Sequence, residues 1–123
     1  MITCIVVDDD VNTVKVFSDL LELMGLHVVG RGFSGSEAVC LYKTYTPDVI
    51  FIDLMMPKTD GFYAIKKIQG INPTAKIIVI TADLTLENYQ KLQELQIKAI
   101  IYKPFGIHNI KQVLEQYNFN TSS

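Results

Sequence analysis

The chain lacks a long apolar run, a block of one charge, a cysteine framework and a stretch rich in glycine or proline. Its apolar runs are a handful of residues each, far below the roughly 20 needed to cross a bilayer. The N-terminus shows no charged-then-apolar leader pattern, so a cytoplasmic protein with no membrane attachment is expected. Net charge is −2 with no cluster of Lys or Arg. A nucleic-acid binder needs a concentrated basic face to displace counterions, so direct contact with nucleic acid is not expected. There are only two cysteines. Cys4 lies in an apolar run and Cys40 on the apolar side of a predicted helix, a pair expected to be reduced thiols used as small core residues rather than a disulfide or metal site. With 7 glycines, 4 prolines and no low-complexity stretch in 123 residues, disorder is expected only at the polar end, residues 118–123.

What is present is alternation. Short runs rich in Val and Ile at 2–7, 27–33, 49–52, 76–80 and 98–102 read as buried parallel strands. Between them apolar residues recur three or four apart: Val14, Phe17, Leu21, Met24; Ala38, Leu41, Tyr42, Tyr45; Phe62, Ile65, Ile68. The same spacing returns in Tyr89, Leu92, Leu95 and in Ile107, Ile110, Val113, Leu114, Tyr117. Each stripe is one face of a helix. The expected fold is therefore α/β, a (βα)5 doubly wound, flavodoxin-like unit whose five-stranded parallel sheet has the order 2-1-3-4-5. One domain is expected over residues 1–118, with 119–123 a polar tail or the start of a linker. Ligands of such sheets bind at the carboxyl ends of the strands, near the switch point between strands 1 and 3.

Those ends carry chemistry. Strand 1 runs into Asp8-Asp9-Asp10, strand 3 into Asp53, strand 4 into Thr81 and strand 5 into Lys103-Pro104. Carboxylates about 5 Å apart repel by roughly 3 kcal/mol per pair at an effective dielectric near 20, so such a cluster calls for a cation. Hard oxygens with no His or thiol among them suit Mg²⁺. Lys103 offers a point charge and Thr81 a hydroxyl donor for the oxygens of a transferring phosphoryl group, with Asp53 as the attacking oxygen.

The motifs Val6-Val7-Asp8-Asp9, Asp53-Leu54-Met55-Met56-Pro57, Asp60-Gly61, Thr81-Ala82 and Lys103-Pro104-Phe105, in that order over nearly the whole chain, strongly resemble a response-regulator receiver domain of two-component signalling, the family of the chemotaxis response regulator. The resemblance implies that Asp53 is the phosphoacceptor, fed by the phosphohistidine of a sensor histidine kinase or histidine phosphotransfer protein. It implies that Asp9, Asp53 and the backbone carbonyl of Met55 bind Mg²⁺, with Asp8 acting through water. Thr81 and Lys103 would hold the phosphoryl oxygens, and the Lys103-Pro104 bond would be cis. Such a domain is no enzyme in the usual sense, since it catalyses only its own phosphorylation and dephosphorylation. Its output would be a protein target or effector domain met through helix 4, strand 5 and helix 5, a face that could also serve a homodimer.

Some residues depart from that pattern. The family usually has an aromatic residue three before the lysine, where this chain has Ile100. Tyr102 is expected to face the other side of the strand. Gln96-Ile97 replaces the small pair usual before strand 5. Met55 and Asp83 stand where they could tune the lifetime of the phosphoryl group, although Asp83 reads better as a solvated loop acid or helix N-cap. Two other readings compete. Gly30-Arg31-Gly32-Phe33-Ser34-Gly35 spells GxGxxG, but it follows strand 2, away from the switch point, and reads better as a glycine-rich turn. Asp8-Asp9-Asp10-Val11-Asn12-Thr13 resembles the opening of a haloacid-dehalogenase-type phosphatase with Asp8 as nucleophile, but no late acidic pair completes that site. His27 and His108 have no ligand set around them.

Overall fold

The computed structural model describes residues 1–56, 60–82 and 84–117. Pro57, Asp83 and residues 118–123 therefore lie outside the described residues. The β-branched runs form strands β1 (Thr3–Val7), β2 (His27–Gly32), β3 (Val49–Asp53), β4 (Ile77–Thr81) and β5 (Ile100–Tyr102). Helices α1 (Val11–Leu23), α2 (Gly35–Tyr45), α3 (Gly61–Ile71), α4 (Leu86–Glu94) and α5 (Ile107–Gln116) alternate with them. The sheet order is β2-β1-β3-β4-β5, and every neighbouring pair is parallel. This is the expected topology.

Local chemistry starts each helix where the strand before it has ended. Asp10, Ser34, Asp60 and Thr85 are the N-caps of α1 to α4, and their side chains accept from the N–H groups of Asn12, Glu37, Tyr63 and Asn88. Each such cap satisfies one of the donors that a helix start leaves open. Thr85 caps α4.

Strand residues alternate between two cores. Cys4, Val6, Phe51, Ile78 and Ile80 join Phe17 and Leu21 of α1 and Ile110 and Leu114 of α5 on one face. Ile5, Val7, Ile50, Ile52 and Val79 join Ala38, Tyr42, Ala64, Ile65, Ile68 and Leu92 on the other. Among the described residues no helix is long and apolar enough to cross a membrane.

Some expectations fail in instructive ways. Cys40 is exposed: α2 turns Ala38, Val39 and Tyr42 inward, and a residue 100° beyond Val39 on the wheel faces solvent. Tyr45, Tyr89 and Ile107, at the rims of their stripes, are exposed as well. Tyr102 does not oppose Ile100. Side chains alternate along a strand, so Ile100 and Tyr102 share a face while Ile101 enters the α1–α5 core; Ile100 is half covered and Tyr102 is 53% exposed.

The GxGxxG segment has a packing role. A Cβ on Gly30 would lie 2.9 Å from Leu41 Cδ2, and one on Gly32 3.0 Å from Leu41 Cδ1, so these glycines let α2 press its Leu41 against β2. Gln96 holds a left-handed backbone, φ 62°, the conformation in which the small residue usual at that point would be unstrained.

Candidate functional site

Four strand ends deliver the polar residues to one edge of the sheet. Asp8 follows β1, Asp53 closes β3, Thr81 closes β4 and Lys103 follows β5. Asp8, Asp53 and Thr81 are buried polar residues in a structure whose interior is otherwise almost wholly apolar.

The three consecutive aspartates are divided between two tasks. Asp10 turns away: its Oδ1 accepts from Asn12 N–H (3.1 Å) and its Oδ2 from the Thr13 hydroxyl (2.8 Å), and the Thr13 bond, followed by that to Asn12, holds its pKa below the usual carboxylate range. Asp8 and Asp9 remain at the edge. With Asp53 they offer one ligand oxygen each, all within 4.8 Å of one another. No histidine or thiol joins the group, and such a set of hard oxygens fits Mg²⁺ rather than zinc.

Asp8 is fully buried and spends both oxygens. Its Oδ1 accepts from Asp10 N–H at 2.9 Å, and its Oδ2 from Lys103 Nζ at 2.6 Å. Asp53 is 6% exposed and less well compensated. Its Oδ1 accepts a long bond from Met55 N–H, 3.4 Å, and its Oδ2 is 3.8 Å from Lys103 Nζ. Burial, reinforced by the charge of Asp8 and opposed by Lys103, pushes its pKa up to about 6. For Lys103, burial works against the charge, but the bond to Asp8 and the fields of Asp53, Asp8 and Asp9 outweigh it and raise the pKa. Lys103 is thus a fixed cation shared unequally between two carboxylates, with the excess negative charge left at Asp53 and Asp9.

The loop that carries Lys103 is tied down on both sides. Lys103 N–H donates to the Thr81 carbonyl (2.8 Å), so the two residues expected to hold phosphoryl oxygens are linked through the backbone. The Lys103-Pro104 bond is cis. Phe105 then packs edge-on against Phe17, centroids 4.6 Å apart, and Phe17 packs on Phe51 of β3 at 5.0 Å.

Two features of the site were not read from the sequence. Gly61, known only as a motif residue, opens α3 so close to β3 that a Cβ there would stand 2.5 Å from the Asp53 carbonyl oxygen and 2.8 Å from Leu54 Cα. Its N–H donates to Leu54 O at 2.9 Å. Only glycine permits that approach, and a demand of this kind leaves no trace in periodicity. The second is Asn88 of α4, whose Nδ2 lies 3.9 Å from Met55 Sδ, a contact across 33 residues of chain.

Comparison with known proteins agrees with this geometry. The model of the family described as the response regulator receiver domain matches residues 4–115. A chemotaxis protein CheY from Thermotoga maritima is 33% identical over 112 residues, covering 91% of this chain and 93% of that protein. A probable C4-dicarboxylate response regulator DctR from Priestia megaterium is 31% identical over 116 residues, covering 94% of this chain; here the chain spans only 51% of its relative. Among solved structures, the CheX-CheY-BeF3-Mg²⁺ complex from Borrelia burgdorferi matches with a TM-score of 0.89 and 26% identity, over 97% of this chain and 90% of the other. The phosphatase reading with Asp8 as nucleophile is not favoured: the family match lies elsewhere, and both Asp8 oxygens are already engaged.

Proposed function

The chain belongs to the family of response regulator receiver domains, and from that premise we propose that Asp53 accepts a phosphoryl group from a phosphohistidine of a sensor kinase or phosphotransfer protein. The observation that carries this reading is the asymmetry of the site. Lys103 bonds Asp8 at 2.6 Å but stands 3.8 Å from Asp53, which keeps an Asp53 oxygen available and places a cation beside it.

Asp53 attacks phosphorus with a carboxylate oxygen. An O–P bond forms, the N–P bond to the donor imidazole breaks, and the imidazole nitrogen keeps the electron pair. The nucleophile must be ionised, and without a divalent cation Asp53 is ionised only above about pH 6. Asp8 holds Lys103 in place, and Lys103 and the Thr81 hydroxyl meet the transferred oxygens. Asp9, Asp53 and the Met55 carbonyl would hold Mg²⁺, with Asp8 acting through water. When bound, the ion neutralises charge that develops on the phosphoryl oxygens. The fluoroberyllate and Mg²⁺ named for the Borrelia neighbour support this assignment by analogy.

Receiver domains are signalling modules rather than enzymes of external substrates, and they interact with histidine kinases and effectors. For this chain we place the receiver unit at residues 1–118, with 119–123 a tail or linker start, in the cytoplasm. Its output face would be α4, β5 and α5, turned towards a protein target or effector domain. Acetyl phosphate with Mg²⁺ is expected to give one acid-labile adduct by intact mass, absent in Asp53→Asn and absent when chelator is present from the start. An adduct that persists in Asp53→Asn would overturn the assignment.

A further inference from the structure

Among the described residues, α4 is the least anchored helix. It buries a single side chain, Leu92, where α1 buries four and α2, α3 and α5 three each. Leu84 before it and Leu95 at its end are only partly buried against the core, and the further ties are polar: Gln69 Nε2 donates to Leu95 O (2.8 Å) at its carboxyl end, and Lys91 lies over the Phe62 ring at 5.4 Å. At its amino end the tie is Asn88. The Asn88 N–H is engaged by the Thr85 cap at 3.1 Å, and the side chain reaches Met55 Sδ. A thioether is a weak acceptor, so this tie is easily broken. Helices with so few apolar anchors open and shift at low cost.

Met55 is the other half of the connection. Its side chain is 59% exposed and so is not fixed by the core, while its backbone N–H donates to Asp53 Oδ1. One residue thus touches Asp53 through its main chain and α4 through its side chain.

We propose that Met55 and Asn88 are the link by which the state of Asp53 reaches α4. The inference rests on Asp53 being the phosphoacceptor. When the oxygen facing Lys103 carries the phosphoryl group, Oδ1 becomes an acyl carbonyl and loses its share of negative charge. Its bond from Met55 N–H weakens, the Met55 backbone shifts, and the sulfur leaves Asn88. The first turn of α4 then keeps its cap and the apolar contacts of Leu84 and Leu92.

Hydrogen exchange of α4 tests this, with fluoroberyllate and Mg²⁺ as the phosphoryl mimic and fluorine resonance to report adduct formation. In wild type the mimic is expected to speed exchange in the first turns of α4 on the order of fivefold. Asn88→Ala should form the adduct normally, exchange at the faster rate before the mimic is added, and respond to it less than about twofold. Met55→Leu keeps the backbone carbonyl and the bulk but loses the sulfur; before the mimic is added its α4 should exchange at the Asn88→Ala rate, and the double variant should add nothing, the signature of one shared interaction. An Asn88→Ala protein whose α4 keeps the wild-type rate and response overturns the link while leaving the phosphoacceptor assignment standing. Failure of wild type to form any adduct overturns that assignment and the link with it.

Discussion

Replacing Asp53 by Asn should stabilise the metal-free protein, because the carboxylate is held where its charge is poorly supported. Its pKa is pushed from 3.8 up to about 6, and roughly two units correspond to about 3 kcal/mol between the charged and neutral forms. The side chain is 8% exposed, so solvent screens little of this. Removing the charge also takes one favourable neighbour from Lys103, which keeps Asp8 at 2.6 Å, and the expected net gain is about 1–3 kcal/mol. The folded protein holds the Asp53 proton between pH 3.8 and about 6 while the unfolded chain has released it. Wild-type stability therefore falls as pH rises through that window and stays lowered above it. The advantage of Asp53→Asn should be small near pH 4 and complete near pH 7.5. Denaturant unfolding in chelator, at a series of pH values and with unchanged slope, measures it. Mg²⁺ at about 1,000 times its dissociation constant should reverse the order, since it adds roughly 4.1 kcal/mol to the protein that binds it. An Asn variant less stable than wild type in chelator at pH 7.5, or a gap independent of pH, would refute the electrostatic account.

Gly61→Ala should cost more than about 2 kcal/mol and slow phosphorylation by acetyl phosphate, because the new methyl would sit 2.5 Å from the Asp53 carbonyl and displace the end of β3; unfolding and adduct mass measure the two effects. Gln96→Gly should raise stability by about 0.5–1 kcal/mol by relieving the left-handed backbone at φ 62°, as read by thermal unfolding. Of the two thiols, Cys40 should react rapidly with a thiol reagent in the native protein, while Cys4, buried and pushed up to about 12 by that burial, should react only on unfolding.

Much of the fold was legible because the signals were redundant. Runs such as Val49–Asp53 and Ile77–Thr81 are too short and β-branched for helices, and the stripe of Val14, Phe17 and Leu21 admits one buried face. The meeting of Asp8, Asp53, Thr81 and Lys103 followed from topology alone, since every parallel strand ends at the same edge. Less legible were matters of a few degrees or ångströms. Cys40 lies one residue past the buried arc of α2, and an eight-residue stripe cannot fix where that arc stops. The division of labour among Asp8, Asp9 and Asp10 depends on Asp10 capping α1 by accepting from Asn12 N–H and the Thr13 hydroxyl, which composition does not rank. Gly61 and the pair Gly30 and Gly32 answer to close approaches between segments far apart in the chain.

The stack of Phe105 on Phe17 and of Phe17 on Phe51 has an implication for how this molecule tolerates change. Phe51 stands two positions before Asp53 on β3, and Phe105 two positions after Lys103, so one ring of α1 braces the nucleophile's strand against the lysine's loop. Phe17 touches no reacting group, yet trimming it would loosen the spacing between both. A library of variants sorted by signalling output alone would score position 17 as though it belonged to the chemistry, and the inheritance of the core and of the reaction are there a single constraint.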